Sequence, residues 1–236
     1  MKKKVLGRFS VVDLSHFLDE KVPTWSGGCG FRLEVKIDYE DGLRAQTVRG
    51  HAGVGTHIDA PAHFCKGGLC IGDIPLEDLM APLCILDLRE KMKPDLLVSP
   101  KDIEAFEDRY GRIKEGSVVA AHTGWEQYWK RPETYRNPDA LGKMRFPGFS
   151  AAAAKELVKR KVAGIGIDAL SPDGSNEGFP VHEEILGNGK YILENLANLG
   201  LMPKVGAYVI ALPPKVREGV ESVARVIGLI EIETLS

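Results

Sequence analysis

Two features that would assign the chain to a simple class are missing from its sequence. No apolar run approaches the roughly 20 residues that cross a bilayer, so no membrane-spanning segment is expected. Lysine and arginine (31) do not outnumber aspartate and glutamate (33), so the chain lacks the cationic surplus that phosphate binding needs. We therefore expect neither a membrane protein nor a nucleic-acid-binding protein.

Secretion signals and metal-binding cysteine patterns are also missing. Residues 1–8 are basic, but no apolar region follows them, so the sequence predicts a cytoplasmic protein without a signal peptide. Only 4 cysteines occur, and the spacing of the middle pair, at 65 and 70, does not match the CxxC pattern of a zinc ribbon. We expect reduced, partly buried thiols.

Motifs for two common kinds of site do not occur. The chain has no GxSxG elbow that would present a nucleophilic serine. It also has no GxxxxGK[ST] loop and no GxGxxG between a strand and a helix, so a phosphate cradle is not expected. The glycine-rich segment Ser26–Gly30, which follows Trp25, is predicted to be either a lid over a planar substrate or an ordinary loop.

The chain does contain enough apolar sequence for a sizeable core, with 44% hydrophobic residues in 236. No repeat, low-complexity tract or linker divides it, which predicts one domain over residues 1–236. Short β-branched runs predict strands at 10–14, 33–39, 44–49, 84–88, 117–121, 163–168, 207–211 and 225–232, with a hairpin turn at Asp41-Gly42.

Two helices are predicted from their first residues. Ser99 followed by Pro100 is typical of a helix start, and this helix should continue to about Tyr110. Ser150 is predicted to cap a second helix over 151–160. Strands outnumber helices and the helices lie between them, so the sequence favours an α/β fold with a mixed central sheet and covering helices.

Three of the 6 histidines fall in one stretch, at positions 51, 57 and 63. His57 and Asp59 are two residues apart, so in an extended strand both side chains point to one face and can meet at one cation. Nitrogen and carboxylate ligands suit Zn²⁺ or Mn²⁺. Pro61 should end the strand and leave His63 in a turn beside the site, where a histidine can act as a general base. Taken alone, an HxD pair is also typical of structural, hydrogen-bonded groups.

A second candidate cluster lies downstream. His182 begins a short helical run that Gly187 should end. Glu194 stands in an otherwise apolar segment, where a carboxylate is costly to bury unless it is paired or bound to a metal. The pattern leaves open whether Glu194 is a ligand or an exposed residue of an amphipathic turn.

The segment GTHIDAPAHF at 55–64 resembles a signature of the Putative cyclase, or bacterial kynurenine formamidase, family of metal-dependent hydrolases. The likeness extends along nearly the whole chain, through DLSH at 13–16, HTGW at 122–125, FPGFS at 146–150, GIDALS at 166–171, the His182 to Leu196 segment, and LPP at 212–214 with Arg225. So many matches in the same order identify the chain as a member of that family.

The resemblance implies a swivelling β/α/β fold and a homodimer or homotetramer with active sites near the interface. It implies that His63 is the catalytic acid and base. It implies one or two Zn²⁺ or Mn²⁺ ions per chain, held by His57, Asp59, His182 and Glu194. Asp59 is then the bridging carboxylate in members that hold two ions.

The chain departs from the family pattern at one position. The family usually has a further histidine ligand four residues before the second histidine, and this chain has Gly53 there. His51 lies two residues earlier, roughly 7 Å along a strand, so it cannot simply take that place. Fewer ligands could leave a weaker or single-metal centre. His16 and His122 could line the pocket, but a structural role is expected for both.

The resemblance implies hydrolysis of the amide bond of a small molecule, with arylformamidase activity on N-formylkynurenine in tryptophan catabolism as the leading expectation. A metal would activate water and His63 would move protons between water and the leaving nitrogen. Two alternatives stay open. One is a cyclase- or lactamase-type enzyme acting on another cyclic or carbonyl substrate. The other is a member that binds a small molecule or a metal without turnover.

Overall fold

A computed structural model describes residues 7–232 of the chain. The basic N-terminal residues 1–6, on which the expectation about a leader partly rests, lie outside this range. The strands are β1 (Phe9–Asp13), β2 (Phe31–Ile37), β3 (Ala45–Gly50), β4 (His57–Asp59), β5 (Met80–Asp87), β6 (Leu97–Val98), β7 (Val118–His122), β8 (Gly148–Phe149), β9 (Gly164–Ile167), β10 (Tyr191–Glu194), β11 (Ala207–Leu212), β12 (Glu221–Val223) and β13 (Arg225–Glu231).

The helices are α1 (Leu76–Leu79), α2 (Pro100–Tyr110), α3 (Pro132–Arg136), α4 (Ala151–Lys159) and α5 (Pro180–Gly187). Short 3₁₀ turns lie at Tyr39–Asp41, Pro61–His63, Ile71–Asp73, Arg89–Lys91, Trp125–Tyr128 and Leu199–Leu201. Within the described part of the chain, no helix is long and apolar enough to span a bilayer.

A 9-stranded mixed sheet forms the centre of the fold, in the order β1-β13-β11-β5-β7-β9-β10-β4-β12. Its middle, from β5 to β10, is parallel, and antiparallel strands extend it on both sides. The fold is therefore α/β with a mixed central sheet and covering helices, as the sequence predicts.

Alternate residues of the central strands point into two apolar layers. Val119 and Ile165 pack in the layer that includes residues of α2, α4 and α5, whereas Val118 and Ala120 pack in the layer on the other side of the sheet. Consecutive residues of a strand point to opposite faces of the sheet. Because apolar layers cover both faces of the parallel centre, its strands are apolar at consecutive positions.

The eight predicted strands and both predicted helices are confirmed within a few residues. The Ser99 hydroxyl accepts a hydrogen bond from the Asp102 backbone N–H, and the Ser150 hydroxyl does the same for Ala153. The strands β2 and β3 do form a hairpin, but its connection is a 3₁₀ turn that ends at Gly42 with φ of 94°, a value that favours glycine.

The four cysteines are free thiols. Cys84 is buried and Cys65 and Cys70 are half-buried, as expected, whereas Cys29 is exposed.

Candidate active site

Strand register brings two pairs of polar side chains together near one edge of the central sheet. β4 lies between β10 and β12 and is antiparallel to both. Glu194 of β10 stands directly opposite His57, and Glu221 of β12 stands directly opposite Asp59. Directly opposite residues share a face of the sheet, and so do residues two apart in one strand. All four side chains therefore lie on one face.

Helix α5 adds a fifth side chain to this face. Pro180 is the first residue of the helix, where its missing N–H costs no hydrogen bond, and it starts the turn that carries His182. His182 is buried, like His57, Asp59 and Glu194. We call His57, Asp59, His182 and Glu194 the cation cluster. Glu194 is thus buried within a polar group, and the alternative of an exposed Glu194 is wrong.

The distances between the histidines and the carboxylates of the cation cluster fit bound cations. The His57 Nε2 atom lies 3.4 Å from Asp59 Oδ1 and 3.3 Å from Glu194 Oε2. The His182 Nε2 atom lies 3.5 Å from Asp59 Oδ2 and 3.3 Å from Glu194 Oε1. Ligands held at the usual zinc distances in a tetrahedron stand about 3.3 Å apart, which matches these separations.

Asp59 shows most directly that the cluster needs a cation. Only 1% of Asp59 is exposed, and neither of its carboxylate oxygens has a hydrogen-bond partner. A buried carboxylate without a partner is strongly unfavourable, and buried charges are normally paired or bound to metals. The residues therefore fit a divalent metal ion, and the donor set of imidazole nitrogen and carboxylate oxygen suits Zn²⁺ or Mn²⁺.

The electrostatics of the cluster agree with this fit. Burial alone would lower the pKa of His57, but the carboxylates of Asp59 and Glu194 raise it well above its ordinary value. Burial is likewise outweighed at His182, where Asp173, Asp59 and Glu194 raise the pKa to about 12. Burial would raise the pKa of Asp59, whereas the two imidazoles hold it well below its usual range. The carboxylates thus favour a positive charge between them, from imidazole protons or from a metal ion.

The backbone before β4 fixes the orientation of the His57 ring. The Gly55 carbonyl oxygen lies 2.8 Å from His57 Nδ1, so a proton on Nδ1 leaves the lone pair of Nε2 facing the cluster. Asn195 donates a second hydrogen bond to the same carbonyl and accepts one from the Tyr135 hydroxyl. Gly55 has φ of 68°, and a Cβ there would lie 2.2 Å from Leu18, so position 55 requires glycine.

The carboxylate of Asp173 fixes the orientation of the His182 ring. Its Oδ2 atom lies 2.5 Å from His182 Nδ1, and its Oδ1 atom accepts the Val181 backbone N–H at 2.7 Å. A carboxylate on the far nitrogen is the usual way in which proteins orient a histidine ligand. Asp173 was not predicted from the sequence, because nothing in the segment after β9 marks it out before the fold brings it to the first turn of α5.

His63 lies beside the cluster but outside it. It ends the 3₁₀ turn that follows β4, and about a quarter of its side chain, 27%, is exposed. Its Nδ1 atom lies 3.8 Å from Glu221 Oε2, and its ring centroid lies 6.0 Å from that of His182. The turn at Pro61 therefore places His63 where the sequence predicts it, facing the same cavity as the cluster.

The cavity above the cluster has a volume of about 630 Å³ and aromatic walls. Phe64 stacks on the His182 ring with centroids 4.7 Å apart, and Phe179 contacts both Phe64 and Trp25. Trp25 and Ser26 of the glycine-rich loop line the cavity, so this loop does border the site. The arrangement suits a small molecule with a planar ring.

The other histidines fall in different places. His51 lines the same cavity but does not take part in any group of side chains that could hold a metal within residues 7–232. His16 stacks on Trp129, with centroids 4.0 Å apart. His122 lies 3.5 Å from Glu126. His16 and His122 do not line the cavity. Glu221, which does, was missed because its place opposite Asp59 depends on strand pairing across the whole chain.

The fold and the cluster together define a class of protein, an α/β scaffold with a buried group of side chains suited to a divalent metal ion. The chain matches the Putative cyclase family over residues 12–174. It is 31% identical to an isatin hydrolase of Roseibium aggregatum over 188 residues, which are 75% of this chain and 71% of the relative. It is 26% identical to a kynurenine formamidase of Polaromonas naphthalenivorans over 221 residues, 91% of this chain and 88% of the relative.

Solved structures agree with the sequence matches. The structure of isatin hydrolase A from Labrenzia aggregata bound to benzyl benzoate superposes with a TM-score of 0.88 and 29% identity, covering 96% of this chain and 95% of that one. The chain therefore belongs to the Putative cyclase family of metal-dependent hydrolases.

Proposed function

We propose that the chain hydrolyses the amide bond of a small aromatic molecule, with a divalent metal held by the cation cluster and His63 as the general base and acid. The observation that carries this proposal is the unpartnered, buried carboxylate of Asp59 at the floor of a cavity that His63 also faces. A binding protein has no need of a free imidazole beside its metal, so this arrangement favours catalysis over binding alone.

The residues of the site have three roles, which are to hold the metal, to orient a ligand and to transfer protons. A bound Zn²⁺ or Mn²⁺ ion would lower the pKa of water and polarise the substrate carbonyl. His57, Asp59, His182 and Glu194 would hold one or two such ions, and Asp173 keeps His182 in the orientation that this requires. His63 takes a proton from the attacking water and returns it to the leaving nitrogen.

The aromatic walls of the cavity favour an aromatic substrate. Phe64, Phe179 and Trp25 surround the space next to the cluster, and planar rings pack well against such walls. Isatin, which the name of one relative gives, is a cyclic aromatic amide, and a formamide of kynurenine, which the name of the other implies, is an aryl formamide. A cyclic aromatic amide is the first candidate, because the isatin hydrolase shares more identity with this chain. An aryl formamide is the second.

We also propose that the chain assembles with copies of itself, as a homodimer or homotetramer. The β2–β3 hairpin exposes apolar side chains that a monomer would leave in water, among them Leu33 at 48% exposure and Val48 at 62%. Apolar side chains grouped on one exposed hairpin are typical of a surface that another chain covers.

The test is a substrate panel with and without metal. Purified protein is stripped with a chelator, dialysed, and assayed by absorbance against isatin, N-formylaniline, N-formylkynurenine and an aromatic lactone. We expect no turnover after stripping and recovery with Zn²⁺ or Mn²⁺, with the aromatic amides as the best substrates. Activity that is indifferent to the chelator would contradict the metal-dependent reaction, and exclusive lactone hydrolysis would contradict the amide assignment.

A further inference from the structure

The space beside Gly53 is filled by a carboxylate from the far end of the chain. A Cβ atom at position 53 would lie 2.1 Å from Glu221 Oε1 and 3.2 Å from His57 Nε2. The carboxylate of Glu221 therefore stands where a side chain from position 53 would begin, next to the nitrogen of His57 that faces the cation cluster. The absence of a side chain at Gly53 is what gives Glu221 this room.

Glu221 completes a second group of possible ligands. His57, Asp59 and Glu221 each offer a donor atom, and these atoms lie within 4.8 Å of one another. Asp59, His182 and Glu194 form another group within the same limit. Asp59 belongs to both groups, with Oδ1 towards His57 and Oδ2 towards His182. Two ligand groups that share one carboxylate describe a pair of neighbouring cation positions bridged by that carboxylate.

Two independent observations support a second position. The first is that both oxygens of Asp59 are buried and neither has a hydrogen-bond partner, so each of them is free to accept a cation. The second is charge. Three carboxylates, Asp59, Glu194 and Glu221, face two imidazoles, and one divalent ion among neutral imidazoles would leave a net charge of −1 in a largely buried site. A second divalent ion outweighs that negative charge and brings the sum to +1, which a bound hydroxide would neutralise.

We infer that Glu221 is a metal ligand that completes, with His57 and Asp59, a second divalent-cation position next to the one held by Asp59, His182 and Glu194. The inference rests on the proposed function only in that both need the cation cluster to bind metal. Its rival is a positioning role, in which Glu221 orients His63, whose Nδ1 atom lies 3.8 Å away. The rival role predicts no change in metal binding when Glu221 is replaced.

The experiment counts metal ions. Chelator-stripped wild type is titrated with Mn²⁺ by calorimetry, checked by elemental analysis, and examined by electron paramagnetic resonance. We expect two ions per chain and, at two equivalents, the exchange-coupled spectrum of a carboxylate-bridged pair. Glu221→Ala should keep one ion and lose the other, or bind it at least about tenfold more weakly, and should show the spectrum of an isolated ion. Glu218→Ala, which removes an exposed glutamate of the same segment, is the matched control and should behave as wild type.

A rescue variant separates a ligand role from a purely structural one. Gly53→His placed on Glu221→Ala puts an imidazole into the space that the carboxylate has left, and residue 53 has no positive φ to strain a side chain. We expect the second ion and the coupled spectrum to return. All variants are first compared with wild type by thermal unfolding.

The outcomes are distinguishable. One ion in wild type, two ions in Glu221→Ala, or a well-folded double variant that stays at one ion overturns the assignment of Glu221 while leaving the metal-dependent reaction intact. No metal binding in wild type overturns the proposed function itself.

Discussion

Two groups of largely buried polar residues in this fold have nearly the same composition and quite different surroundings. The cation cluster contains histidines and carboxylates, and so does a second group formed by His122, Glu126 and Asp168, whose donor atoms are equally close together. In the second group, Asp168 accepts hydrogen bonds from the Thr123 backbone and hydroxyl and from the Gly124 backbone. In the cation cluster, neither oxygen of Asp59 accepts any.

The difference teaches that ligand type and proximity do not by themselves define a metal site. A carboxylate whose lone pairs are already occupied by N–H and O–H donors has little to gain from a cation, whereas a buried carboxylate without donors has much to gain. Asp168 holds the turn after β7 to the end of β9, which is a structural task. Asp59 has no comparable partner, so its burial is explained by a cation.

The strongest test replaces one carboxylate in each group. Asp59→Asn removes the negative charge that lies next to the Nε2 atoms of both cluster histidines. We expect bound metal and hydrolytic activity to fall to background. Asp168→Asn puts an amide NH₂ against backbone donors and should lower the free energy of unfolding by about 1–3 kcal/mol while the metal content stays near wild type. Elemental analysis and thermal denaturation measure the two effects. Equal metal loss in both variants would contradict the assignment of a metal-binding role to Asp59 and a structural role to Asp168.

A second test asks whether the cavity next to the cluster holds a free base. His63→Ala should lower kcat by about 10²–10⁴-fold, because proton transfer loses its carrier, while metal content stays unchanged. His51→Ala removes another histidine of the same cavity and should change kcat much less. Steady-state kinetics and elemental analysis decide the matter, and loss of metal in His63→Ala would place His63 among the ligands.

A third, smaller effect concerns the carboxylate that orients His182. Asp173→Asn keeps the shape of the side chain but weakens its hold on the Nδ1 proton, and we expect the metal dissociation constant to rise about 10–100-fold. Glu183→Gln, on the exposed side of the same helix, is the control and should leave metal affinity unchanged. Competition with a fluorescent chelator gives both constants. An unaltered constant in Asp173→Asn would show that packing against Phe64 suffices to orient the ring.

The smallest expected effect lies near the second group, where a histidine is kept neutral. Burial lowers the pKa of His16 to about 4, against the opposing influence of Glu126 and Asp13. The unfolded chain binds a proton near the ordinary value of about 6.5, so the folded protein should lose on the order of 2 kcal/mol as the pH falls from about 6.5 towards 4. Above about pH 6.5, His16 is neutral in both the folded and the unfolded chain, and this loss of stability does not occur.

The check uses His16→Gln, in which the titrating group is absent. Urea unfolding at several pH values should show a shallower loss of stability in His16→Gln than in wild type. Parallel curves would mean that His16 keeps its proton in the folded state over this pH range. That result would remove one of the contrasts between the two regions.

Much of the fold could be predicted because its central strands and two longer helices are long enough to carry a pattern. Ser99 and Ser150 mark helix starts through local hydrogen bonds that need no distant partner. The strands β6, β8, β10 and β12 have two to four residues, too few to show an alternation, and they were not predicted. Their existence depends on neighbours that only the complete sheet supplies.

The site could be predicted in part for the same reason. His57 and Asp59 share a strand, so their spacing alone places them on one face, and Pro61 explains the turn at His63. The burial of Glu194 could not be read from the sequence, because an apolar run around a glutamate is compatible with either outcome. Glu221 and Asp173 reach the site through strand pairing and helix docking, which local pattern does not encode.

The edge position of β12 has a consequence for how the protein assembles its site. β12 is three residues long and pairs with the sheet through β4 alone, yet its residue Glu221 places a carboxylate in the cavity beside the cation cluster. An ion bound by residues of both β4 and β12 would link the first quarter of the polypeptide to its last tenth. Removing that ion should destabilise the β4–β12 edge of the sheet first. Amide hydrogen exchange in the metal-free protein should therefore become faster at this edge before it becomes faster in the parallel centre of the sheet.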